Sequence, residues 1–155
     1  EETKKKILYF DMDGVLVDFD SSFEFLLDKE KQQYEGRIDD VPGLFSRMKP
    51  MKGALEAFDK IYDLYDCYIL STATWNNPTA WSDKILWVKK YIGDRMKKKL
   101  ILSHNKQLNI GSYLIDDRLK WGSDKFTGEH IHFGSERFPD WDSVLKYLSQ
   151  KDKQK

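Results

Sequence analysis

Short apolar runs that each close on a polar residue constrain this chain more than anything else in it. Residues 6–11, 67–72, 100–103 and 113–116 are four such runs, and 131–133 is a fifth. They are rich in Ile, Leu, Tyr and Phe and too short for helices, so they read as buried strands. Between them, apolar residues recur at helical spacing. Leu55, Phe58, Ile61, Tyr62 and Tyr65 mark a helix from Lys52. Trp81, Ile85, Val88 and Ile92 mark another, with Asn77 as N-cap, Pro78 in its first turn and Gly93 as its stop. Trp141, Val144, Leu145 and Leu148 mark a last helix, and 151–155 reads as a frayed polar tail. Phe19, Phe23, Leu26 and Leu27 also repeat helically, whereas 32–51 is irregular, broken by Gly36, Pro42, Gly43 and Pro50.

Strands alternating with helices predict an α/β fold, a parallel sheet with helices on both faces. In such sheets ligands bind beyond the carboxyl ends of the strands. The polar closures fall there. Asp11 and Asp13 follow the first strand, Ser71 and Thr72 close the second, Ser103, His104 and Lys106 follow the third, and Asp116 and Asp117 close the fourth.

Composition narrows the function. With 155 residues the chain is expected to form one domain with a full core. The 26 Lys and Arg balance 26 Asp and Glu, which argues against a broad polyanion-binding face and so against a nucleic-acid polymer as partner. An aromatic content of 14% argues against disorder. The single cysteine, Cys67, excludes an internal disulfide framework and a Cys-rich zinc site, and reads as a packed thiol. No run is long enough to cross a membrane, and no signal-peptide core follows the first six residues, so a cytoplasmic setting is expected. Because the chain opens on Glu1, its natural start is expected to have been trimmed.

The clustered carboxylates make an electrostatic demand. Two unit charges at 4 Å repel by about 4 kcal/mol at an effective dielectric of 20. Such a cluster needs a counter-charge or must bind protons. An oxygen-rich carboxylate site suits Mg²⁺, which typically joins a substrate phosphate. Lys106 could add positive charge, and Thr72 could donate to a phosphate oxygen. These are the parts that phosphoryl transfer asks for.

Asp11-Met-Asp-Gly-Val-Leu-Val-Asp18 resembles the first motif of the haloacid-dehalogenase (HAD) superfamily of phosphatases. Leu70-Ser-Thr72 resembles its second, Lys106 its third, and Leu114-Ile-Asp-Asp-Arg118 its fourth, in order across almost the whole chain. The closer resemblance is to the 5'(3')-deoxyribonucleotidases, through Asp11 to Phe19, the Trp-rich helix after Thr72, the Lys106 to Asp116 spacing and Ile115-Asp-Asp-Arg118. It implies a three-layer, Rossmann-like HAD fold, with core 4–18 and 51–150 and a small helical cap inserted at about 19–50.

The resemblance also implies roles. Asp11 is the nucleophile, and Asp13 is the acid and base, with its main-chain carbonyl on the metal. Thr72, Ala73 and Lys106 hold phosphate. Asp116 and Asp117 complete a Mg²⁺ site with Asp11 and Asp13. Phe19 borders the substrate, a nucleoside monophosphate, with Phe45 of the cap region, His104 and Arg118 as further candidates. Separately from the resemblance, Trp75 lies three residues after Thr72, where it could reach the pocket and stack on a base for about 1–3 kcal/mol. A carboxylate two residues after the nucleophile favours a phosphatase, since an alkoxide leaving group needs a proton.

Departures bear on the substrate. The cap is short, and the aromatic pair that stacks on the base in the animal enzymes has no clear counterpart. Ala73-Thr-Trp75 stands where Ser-Pro and an aliphatic residue are expected, and His104 stands in place of an Arg. A sugar phosphate or other small metabolite is therefore an alternative substrate, and a non-catalytic Mg²⁺- and phosphate-binding module is an alternative of another class. The short cap also leaves room for a homodimer. His130 and His132 share a strand face but have no third ligand nearby, so they read as structural.

Overall fold

The computed structural model describes residues 4–153. In chain order the elements are β1 (Ile7–Phe10), β2 (Val17–Asp18), α1 (Asp28–Gln33), β3 (Lys49–Pro50), α2 (Ala54–Tyr62), β4 (Asp66–Ser71), α3 (Pro78–Tyr91), β5 (Leu100–Leu102), β6 (Tyr113–Asp116), β7 (Glu129–His132) and α4 (Trp141–Lys153). Five strands form one sheet in the order β5-β4-β1-β6-β7, and every pairing is parallel. The chain leaves β1 on one side through α2 and α3, then returns to the other side with β6 and β7. The carboxyl ends of β1 and β6 therefore flank the point where the winding reverses, and this is where a crevice opens.

Strand alternation divides the core. Leu8, Phe10, Ile69 and Ile115 join the larger apolar cluster with Phe58 of α2 and Trp141 of α4. Tyr9, Leu70 and Leu114 face the other way, onto Phe126. That second face is covered by short 3₁₀ turns, Lys106–Leu108 and Ser123–Lys125, because the connections after β5 and β6 are brief and broken by Gly and Ser. Cys67 is fully buried in the larger cluster, as its packed-thiol reading expects, and burial pushes its thiol up to about 12.

The insert closes on itself. β2 pairs antiparallel with β3, which brings its two ends together. It is also tied to α3: Trp87 Nε1 donates to the Met48 carbonyl at 3.2 Å, and the Gly43 N–H donates to Thr79 Oγ1 at 2.9 Å.

Four local expectations are corrected. Phe19–Phe25 is a 3₁₀ helix that ends before α1, so the helical phase breaks, and Phe23 and Leu27 lie exposed while Leu26 is buried. Ile85 faces solvent, because α3 buries the phase of Ala80, Asp83, Lys84, Trp87 and Val88. Asn77 does precede α3, but its side chain makes no cap. It donates instead to the Asp39 and Val41 carbonyls, joining insert to core. Of the expected tail, 151–153 continues α4, and 154–155 lies outside the described residues.

Candidate active site

Four carboxylates meet two buried ammonium groups at the carboxyl ends of β1, β4 and β6. The Asp11 N–H donates to the Ile115 carbonyl at 2.9 Å, which extends the β1–β6 ladder and fixes the Asp11 side chain at the crevice floor. Asp116 closes β6, and its Oδ1 accepts the Arg118 N–H at 3.0 Å. Lys106 Nζ donates to Asp116 Oδ2 at 2.6 Å and to Asp11 Oδ1 at 3.1 Å. Asp117 lies against the first motif at Gly14. A Cβ there would stand 2.1 Å from Asp117 Oδ2, and Gly14 has φ +79°, so both space and backbone exclude a side chain.

The charges explain the proton affinities. Burial, opposed by Lys106 and reinforced by Asp116 and Asp13, pushes Asp11 up to about 7. Burial, then the charge and hydrogen bond of Asp11, pushes Asp117 up to about 6. Burial of Lys106 works against its charge, but Asp11 and Asp116 outweigh it and raise its pKa.

This donor set fits a hard divalent cation. Asp11, Asp116 and Asp117 each offer an oxygen, and these atoms lie within 4.8 Å of one another. Asp117 Oδ1 and Asp13 Oδ1 are buried without a hydrogen-bond partner. Fully ionised, the four carboxylates exceed the two ammonium groups by two charges, and an all-oxygen set suits Mg²⁺ or Ca²⁺.

Lys84 is the second ammonium, and sequence reasoning missed it. It is fully buried on α3, where Nζ donates to Asp13 Oδ2 and to Ser71 Oγ, each at 2.9 Å. Its ammonium also lies 4.7 Å from the centroid of the Phe45 ring. A lysine in an apolar phase of an amphipathic helix was the available signal. Buried lysines need a charged partner.

Every expected site residue lines one cavity of about 640 Å³ over this floor. Thr72 and Ala73 line it together with Lys106. The Thr72 hydroxyl donates to the Ser103 carbonyl at 2.7 Å, so it must rotate to donate to a ligand. Phe19 and Phe45 form the wall on the insert side, edge to face at 6.1 Å. Trp75, His104 and Arg118 stand on the core side with Trp121, which sequence reasoning also missed, for no pattern marks it. His130 and His132 lie outside the cavity lining. His132 Nε2 is 3.1 Å from the Asp117 carbonyl and braces that turn, in keeping with the structural reading.

Residues 30–145 match the family model described as 5' nucleotidase, deoxy (pyrimidine), cytosolic type C protein. A protein of Vibrio phage KVP40 described as a 5'(3')-deoxyribonucleotidase is 58% identical over 153 residues, covering 99% of this chain and 90% of its own. This chain belongs to the 5'(3')-deoxyribonucleotidase family. The human 5'(3')-deoxyribonucleotidase of cytosolic type is 26% identical, over 87% of this chain and 76% of its own. The fold is that of the HAD hydrolase YfnB of Bacillus subtilis, solved bound to magnesium, at a TM-score of 0.66 and 11% identity, covering 94% and 99% of the two chains. As a deoxyribonucleotidase-family member the protein is a phosphoric monoester hydrolase, and the carboxylate floor is the part of its cavity suited to that chemistry.

Proposed function

We propose that this enzyme hydrolyses nucleoside monophosphates, deoxyribonucleotides foremost, in the cytoplasm, with Mg²⁺ and through an aspartyl phosphate on Asp11. The observation that carries the reading is the Asp11 carboxylate itself, buried at the cavity floor and held by Lys106. Family membership, the cytosolic type of the human relative and the three-carboxylate cluster of Asp11, Asp116 and Asp117 support the rest.

Asp11, Asp116 and Asp117 would hold the cation, with the Asp13 carbonyl. When bound, Mg²⁺ neutralises the carboxylates and polarises a phosphoryl oxygen. Asp11 attacks phosphorus through a carboxylate oxygen while the ester P–O bond breaks, and Asp13 gives its proton to the departing alkoxide. Asp13 then takes a proton from water, whose oxygen attacks phosphorus and releases Asp11 and phosphate. Lys106 and Thr72 hold the equatorial oxygens, whose charge is spread in the transition state. Phe19, Phe45 and Arg118 border the nucleoside.

Asp11→Asn tests the reading. The variant should melt like the parent and lose turnover of deoxyribonucleoside monophosphates, and EDTA should do the same to the parent. Full activity in Asp11→Asn would refute the mechanism. Equal rates on sugar phosphates and nucleotides would remove the nucleotide assignment.

A further inference from the structure

We propose that Trp75 and Trp121, set around His104 on the core side of the cavity, clasp the nucleobase. The idea rests on the nucleotidase reading and assigns base recognition to the loops after β4 and β6 rather than to the insert.

The insert wall offers less open aromatic surface: Phe19 is half-buried, its ring edge to face with Phe23 and Phe45. Phe45 is only 4% exposed, and its ring already meets the Lys84 ammonium and the Phe19 ring. The core side is the reverse. Trp75 is 77% exposed and Trp121 is 50% exposed, and both line the cavity. They are nonetheless fixed in place. The His104 ring packs edge to face with Trp75 at 5.8 Å and with Trp121 at 5.3 Å, and it meets Trp81 at 5.8 Å. Trp81 in turn donates from Nε1 to the Thr74 carbonyl at 3.3 Å, which anchors the loop carrying Trp75.

Trp121 is also held in a strained backbone. Its φ is +56°, in the left-handed region that a bulky side chain rarely adopts. The surroundings enforce it. The Trp121 carbonyl accepts the Lys106 N–H at 2.7 Å, and a Cβ at Gly122 would fall on Gln107. Ser123 Oγ ties the same loop to the Arg118 and Lys120 carbonyls, at 2.7 and 2.8 Å. Strain of this kind persists where function uses the geometry it produces. Here it presents an indole over the cavity while its own carbonyl braces the lysine at the floor. Exposed indole faces on a fixed frame suit stacking on a base, which is tolerant of base identity.

The test compares kcat/KM for deoxyribonucleoside 5'-monophosphates with kcat/KM for 2-deoxyribose 5-phosphate, the same ester without a base. In Trp75→Ala and in Trp121→Gly the nucleotide-to-sugar ratio should fall about tenfold or more, carried in KM. Trp121→Gly removes the ring and also relieves the strained φ, so loss of fold does not confound it. Trp75→Phe and Trp121→Phe keep a stacking face and should keep most of the ratio. If the parent prefers nucleotides and both ring-deleting variants keep that preference within about twofold, the clasp is refuted and the nucleotidase reading stands. If the parent shows no preference, the nucleotidase reading falls and the clasp falls with it.

Discussion

Lys84→Met is the sharpest perturbation that the site allows. Met approximates the length and volume of the lysine stem, so the change removes charge with little cavity. The ammonium is fully buried and satisfied by Asp13 and Ser71 at 2.9 Å each. Removing one partner of a buried pair typically costs about 3–5 kcal/mol, because the other charge is left uncompensated. The Asp13 side chain retains 25% exposure, so water can recover part of that loss, and about 2–3 kcal/mol is expected. For a domain of this size that lowers Tm by about 5–10 °C. Calorimetric melts of the parent, Lys84→Met, Asp13→Asn and the double variant would measure it. The double variant should be less destabilised than the two single changes added, since the pair is then absent altogether. A Lys84→Met Tm at or above the parent, or strict additivity, would refute the argument.

Three further outcomes follow from the site. In EDTA, stability should fall as pH rises from about 4 to 7. Unfolded Asp residues lose their protons near the ordinary 3.8, whereas Asp11 and Asp117 hold theirs to about 7 and about 6. Asp117→Asn should flatten part of that slope and excess Mg²⁺ more of it; a slope unchanged by either would contradict the cluster's electrostatics. Gly14→Ala should displace Asp117 from the cluster and weaken Mg²⁺ binding in titration calorimetry, and unchanged affinity would show that the turn can yield. Cys67 should resist alkylation at pH 8 until the protein unfolds, since burial holds the thiol protonated to about 12; labelling of the native protein would disprove this.

The insert shows where pattern reading reaches its limit. Residues 19–27 carry apolar residues at helical spacing, but the tertiary fold winds 19–25 as a 3₁₀ helix and leaves Phe23 and Leu27 in water. Spacing reports which residues share a face only if the turn is α, and here contacts with β3 and the Leu44–Arg47 turn decide otherwise. Ile85 and Lys84 make the same point in α3. Adjacent in sequence, they are apolar and charged, and the fold buries the charged one.

What the chain determined by itself was the sheet and its acidic rim. Strand-length apolar runs closing on Asp11, Thr72 and Asp116 carry both order and position, because in a parallel α/β sheet every strand's carboxyl end lies on the same edge, where the crevice opens. What only the tertiary structure decided was which side chains complete that rim. Lys84 reaches Asp13 across 71 residues of sequence, and Trp121 reaches His104 through a left-handed turn locked by Lys106, Gln107 and Ser123. Both depend on long-range packing that creates the partner. A local pattern encodes how a segment folds, and it cannot encode what that segment will meet.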